Sequence, residues 1–119
     1  MLRKLVLGTI ALGLSIGMAG LVNAADTSTV SGFLRDSFCY TTMGAHGSSH
    51  HTCAMKCAKA GIPVMLVQDK TDKGYVLLPP KDDSALPDSV VDKMEDHVTI
   101  TGNEFTKNGI NYLQVQSVK

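Results

Sequence analysis

Three cysteines and one histidine carry most of the chemistry this chain offers. Cys39 lies in "RDSFCY", and His50, Cys53 and Cys57 lie in "HHTCAMKCAKAG". A helix turns 100° per residue, so positions three, four and seven apart share a face. If residues 50–60 are helical, His50, Cys53 and Cys57 line up, whereas His51 points elsewhere. Cβ atoms four residues apart on a helix are about 5–6 Å from each other. A disulfide needs roughly 3.5–4.5 Å, so Cys53 and Cys57 are badly spaced to bridge each other. A metal ion with bonds to sulfur of about 2.3 Å spans such a gap. Cys39, arriving from upstream, completes a Cys₃His set, and Cys39, His50, Cys53 and Cys57 are the predicted metal ligands. Thiolates with one imidazole suit a soft ion, Cu(I) or Zn(II).

Two other outcomes stay open from the sequence. A disulfide from Cys39 to Cys53 or Cys57 would close a loop of about 15 residues, stabilising a small domain by roughly 3 kcal/mol and leaving one thiol spare. The same thiols could instead cycle between dithiol and disulfide with a redox partner protein. Met43, in a glycine-containing loop, is the extra soft ligand to consider, whereas Met55, two residues from each helix cysteine, reads as core filling. His46 reads as a solvated loop residue, His51 as a surface or supporting residue, and His97 as structural. Asp36, three before Cys39, reads first as the turn residue ending a strand and second as a partner for a ligand imidazole. Catalysis finds little support. There is no phosphate-cradling glycine loop and no Ser/His/Asp set in a recognisable context.

The elements that must position these residues follow from hydrophobic period and punctuation. "STVSGFLRD" alternates Val30, Gly32 and Leu34 on one face, as a half-buried strand does. "CYTTMGAHGSS" reads as loop, and Ser48 or Ser49 is the expected cap of a helix over 50–60, which Gly61 and Pro63 stop. "PVMLVQD" and "GYVLLP" form a hairpin around "KTDKG". Leu86, Val90, Val91 and Met94 fall at helical spacing, with Asp92, Glu95 and Asp96 on the wet side; Lys81, Asp82 and Asp83 read as a solvated loop. "HVTITGNEF" and "GINYLQVQSV" pair through a tight Asn108-Gly109 turn. The inward set is Val64, Leu66, Leu77, Val98, Ile100, Leu113 and Val115.

Five short strands with a helix between the third and fourth is the order of an OB barrel. The expected fold is therefore mainly β with short helices: a five-stranded OB-like barrel with a Cys/His-bearing helical insertion after strand 1. The chain also resembles small exported bacterial proteins with an OB-like fold and the pattern Gly, Asp-x-x-Cys, loop, His-x-x-Cys-Ala-x-x-Cys, Gly-x-Pro. Here the matching residues are Gly32, Asp36, Cys39, His50, Cys53, Ala54, Cys57, Gly61 and Pro63. That resemblance implies the fold and the place of the insertion, not an activity.

The N-terminus reads as an address. Arg3 and Lys4 precede an apolar run, and Val22-Asn23-Ala24 supplies the small residues of a cleavage site. Residues 1–24 are thus the expected signal peptide, and 25–119 a single OB-like domain with the insertion at 36–61. No cysteine follows the apolar run at once, so no lipid anchor is expected, nor a stable membrane anchor after cleavage. The signal is of bacterial type, and a periplasmic or secreted location follows. Losing Arg3 and Lys4 leaves nine basic against eleven acidic side chains. With six aromatic residues and no basic stripe, nucleic acid is not an expected partner.

Overall fold

The computed structural model describes residues 26–119; the expected signal peptide lies outside the described residues. Five strands, β1 (Asp26–Asp36), β2 (Val64–Gln68), β3 (Gly74–Leu78), β4 (His97–Lys107) and β5 (Ile110–Val118), close into a barrel in the order β1-β2-β3-β5-β4. Neighbours are antiparallel except β3 and β5, whose parallel pairing of Val76–Leu78 with Tyr112–Gln114 seals the barrel. This is the expected OB-like order. Helices α1 (Ser37–Met43) and α2 (His51–Lys59) sit between β1 and β2, and α3 (Asp88–Val91) between β3 and β4.

Closure depends on two glycines. β1 pairs with β4 through residues 26–33 and with β2 through residues 32–36, so it changes neighbours at Gly32. A Cβ there would lie 2.0 Å from the Val67 carbonyl oxygen, a contact only glycine escapes. Gly102 sits at the irregularity in the β4–β5 register, and its Cβ would meet the Gln114 oxygen at 2.1 Å. Glycines and bulges of this kind let a strand coil tightly enough to shut a small barrel. Asn108 and Gly109, with φ of 51° and 79°, make the turn of positive φ that the "NG" pair foretells.

The period of two in the strands sends Val30, Leu34, Val64, Leu66, Leu77, Val98, Ile100, Leu113 and Val115 inward, all buried. Every residue of the expected inward set is among them. α3 and the turn after it add Val90 and Met94 to this core, and α2 adds Ala54, each with no exposed surface. α3 is shorter than its hydrophobic spacing suggests, since only residues 88–91 are helical and turns carry the chain to Met94. At the start of β1 the barrel is closed by polar groups. Glu104 accepts hydrogen bonds from Ser28 (2.8 Å), Lys73 (3.0 Å) and Tyr75 (3.1 Å).

Two stability measurements follow. Ile100→Ala removes a fully buried side chain from the barrel, and an unfolding free energy lower by about 2–5 kcal/mol is expected; an unmoved thermal midpoint would show that Ile100 does not pack there. The Ser28 and Lys73 hydrogen bonds hold the Glu104 carboxyl below the usual carboxylate pKa, against a smaller opposing effect of burial. Its contribution is therefore full above the unfolded pKa and is lost as pH falls through the folded one. Denaturation profiles of Glu104→Gln should show a shallower loss of stability on acidification than wild type. The difference should be modest, because the side chain is 24% exposed.

Candidate metal centre

The site is built at the far end of β1, where a buried carboxylate ends the strand. Asp36 is fully buried, and its backbone (φ −75°, ψ 134°) is that of a helix N-cap. Oδ1 accepts the Cys39 N–H at 2.8 Å, and Oδ2 pairs with His50 Nε2 at 2.7 Å. The expected loop over residues 39–49 thus begins within a helix, α1. Its cap is Asp36, and its stop is Gly44 at φ 67°, whose N–H reaches the Tyr40 carbonyl. An acidic cap followed eight residues later by glycine was a signal present in the sequence, but the glycines and serines beyond it masked a helix this short. Asp36 ends the strand, as expected, and it also pairs with an imidazole.

The chain then returns through Gly44–Gly47 to the second helix. The Gly47 N–H donates to Glu95 Oε2 at 2.8 Å, and the same oxygen is paired with Arg35. Glu95 is 4% exposed, which corrects its expected place on a wet helix face. It lies in the turn after α3 and fastens the insertion to the barrel. Arg35 is packed against the Phe33 and Tyr40 rings, its guanidinium carbon 4.7 and 5.6 Å from their centroids. A 3₁₀ turn over Ser48–His50 leads into α2, whose N-cap position is His50. Ser48 and Ser49 are exposed and the side chain of neither caps α2, because the 3₁₀ turn displaces them from the position the sequence suggests. Gly61 (φ 93°) ends this segment as expected.

This framework brings three thiols together. The sulfurs of Cys39, Cys53 and Cys57 all lie within 4.8 Å of one another, and the donor atoms of Asp36, Cys39 and His50 form a second such set. Cys39 belongs to both. His50 therefore stands beside Cys39 rather than completing a compact set with all three sulfurs. The reason is its position in the 3₁₀ turn, off the face of α2 that a longer helix would have given it. With Nε2–H donating to Asp36, the lone pair of His50 is on Nδ1. The thiols are unbonded and graded in exposure: Cys39 is buried, Cys57 intermediate and Cys53 exposed.

Electrostatics favour the protonated form of Cys39 and Cys57. Burial pushes the Cys39 thiol up to about 12, with help from its hydrogen bond to Asp36 and from the Asp36 charge. Burial also raises Cys57, and the Asp36 charge adds to this, while a hydrogen bond with Cys39 pulls the other way. For Asp36 itself burial acts upward, but the donors from Cys39 and His50 outweigh it and hold the carboxyl below its usual value. The one carboxylate thus serves both the Cys39 backbone and the His50 imidazole.

The remaining histidines lie elsewhere. His46 donates Nδ1–H to the Gly44 carbonyl at 2.7 Å and is exposed. His51 donates Nδ1–H to the Met94 carbonyl, tying α2 to the turn after α3. His97 pairs with Asp69 at 2.6 Å and meets Phe33 edge-on. Met43 is on α1 rather than in a loop and is 65% exposed, whereas Met55 packs against the core. A cleft of about 480 Å³ between the end of α2, β3 and α3, with Ile62, Leu78 and Leu86 on its walls, contains none of the cluster residues. Compared with known proteins, the chain matches no family model, no curated protein and no solved structure. The fold and the donor set define the protein at a coarse level: an OB-like barrel carrying a Cys/Asp/His cluster whose geometry can bind a metal ion.

If Asp36 is the keystone of this end, its removal should cost more than removal of its imidazole partner. Asp36→Ala deletes a helix cap and strands the His50 N–H, and a loss of about 2–3 kcal/mol is expected in urea denaturation. His50→Ala should cost less, since the cap survives. Equal losses would show that the cap contributes nothing.

Proposed function

We propose that this is an exported protein that binds one soft metal ion, Cu(I) or Zn(II), through Cys39, Cys53 and Cys57, with His50 as the fourth ligand. The observation that carries the reading is the convergence of three sulfurs from two separate helices within 4.8 Å. Three sulfurs around one ion at about 2.3 Å stand about 4 Å apart, so little adjustment separates the thiol trio from a coordination shell. His50 lies beside Cys39 with Asp36 orienting it, in the manner of the carboxylate–imidazole–metal arrangements of known centres. The export part rests on the N-terminal charge, apolar run and small-residue exit, and on the motif resemblance to small exported bacterial proteins. It puts the protein in the periplasm or outside the cell. The partner is then the ion itself, and the near-neutral surface supports no nucleic-acid role.

The rival is a thiol–disulfide protein using Cys39 with one helix cysteine. A redox thiol works through its thiolate and so benefits from a depressed pKa. Burial and Asp36 drive Cys39 the opposite way and leave it a poor attacking thiol, whereas a coordinating thiol is deprotonated by the ion itself. A cation must displace those protons, so binding should release them and weaken as pH falls.

Purification without reductant, followed by metal analysis and thiol counting, separates the readings. One ion per chain and three alkylatable thiols after metal removal are expected. Cys53→Ser and Cys57→Ser should each abolish stoichiometric binding, since a hydroxyl is a poor ligand for a soft ion. His50→Ala should weaken it. His51→Ala should keep the stoichiometry while lowering stability. A Cys39 disulfide with no metal in any preparation would overturn the proposal in favour of the redox or bracing role.

A further inference from the structure

The metal-site reading leaves open whether a bound ion is kept or passed on, and the unequal exposure of the three thiols bears on this. Cys39 is 6% exposed, is hydrogen-bonded to Asp36 and belongs to the helix that Asp36 caps. Cys57, intermediate in exposure, has its sulfur within 4.8 Å of both others. Cys53 stands in the first turn of α2, open to solvent. An ion held by this trio would be enclosed on the Cys39 side and reachable on the Cys53 side. We propose, resting on the metal-site reading, that Cys53 is an exchange ligand, through which the ion is handed to an acceptor bearing its own thiolate.

The step balances without any change of oxidation state. The incoming thiolate donates an electron pair to the ion and forms a new metal–sulfur bond. The metal–Sγ bond of Cys53 breaks, its electron pair stays on sulfur, and the Cys53 thiolate takes a proton from water. Cys39, Cys57 and His50 hold the ion in the mixed complex until a second acceptor thiolate binds it. Their bonds to the ion then break, each electron pair staying on its sulfur or nitrogen and each freed thiolate taking up a proton. No oxidant or reductant is needed. A storage or structural site has no use for this asymmetry and is better served by ligands that are all enclosed. The acceptor's shared chemistry is the thiolate, from a small-molecule thiol or from a paired cysteine motif in a partner protein.

The test uses the full chain loaded anaerobically with Cu(I). Glutathione is one arm and a Cys-x-x-Cys peptide the other, with the copper-bound fraction followed by native mass spectrometry. Short pulses of iodoacetamide record which cysteine is freed first. The expected result is a rate of copper loss that doubles when the added thiol doubles, and first labelling at Cys53 while copper is still bound. The faster arm at equal thiol concentration distinguishes a small thiol from a dithiol protein as the source, and either supports the inference. First labelling at Cys39 or Cys57, or a rate independent of added thiol, would overturn it while leaving metal binding intact. A chain that takes up no copper at all overturns the metal-site reading and the inference with it.

Discussion

A carboxylate with no exposed surface, at the end of a strand, is the constraint around which this end of the molecule is organised. Taking an ionised carboxylate out of water costs several kcal/mol unless hydrogen bonds replace its hydration. Asp36 obtains them from the Cys39 backbone and from His50. The first bond demands that the chain turn into a helix immediately after β1. The second demands that a residue fourteen positions on come back to the same place. Between them these requirements fix α1, the return loop and the 3₁₀ turn before α2, and the three thiols meet as a result.

The barrel supplies the platform. Ala54, buried without exposed surface, lets α2 approach the barrel wall closely, and this sets the depth at which Cys53 and Cys57 stand. The Arg35–Glu95 pair then fastens the loop between the helices through Gly47. Removing one partner from a buried pair is typically more damaging than never having had it, by about 3–5 kcal/mol. The insertion is therefore held by charges at two points, Asp36 and Glu95, and by the apolar packing of Ala54, Met55 and Ala58 on α2. That division suits a site whose sulfurs must stay in register without being sealed in the core.

Much of this was legible in the chain. The alternation of Val98, Ile100, Leu113 and Val115 and the Asn108-Gly109 turn are local signals, and they led directly to strands and their inward faces. The four-residue spacing of Cys53 and Cys57 on one helix was equally local, and the structure brings Cys39 to them. What the sequence hid depends on distant partners. Glu95 resembles any surface acid until Arg35, sixty residues earlier, is placed beside it. His50 lies three residues before Cys53, as a helical ligand would, yet a 3₁₀ turn rather than a regular helix carries it, and Asp36 rather than the trio holds its Nε2. The α1 helix was missed because its cap and stop lie close together and its composition is that of a loop.

The tether from Glu95 to Gly47 also has a temporal side. A chain made from its N-terminus presents all three cysteines well before Glu95 has been synthesised, and the two ends of the tether are separated by 48 residues. Contacts of that separation close late, because a long loop must be ordered before they reward it. Until the tether closes, the thiols rest on the Asp36 contacts and the packing of α2 alone to stay together. The full fastening of the insertion is reached only when the segment after α3 has docked beside β1, so the rigidity of the thiol cluster is coupled to assembly of the barrel.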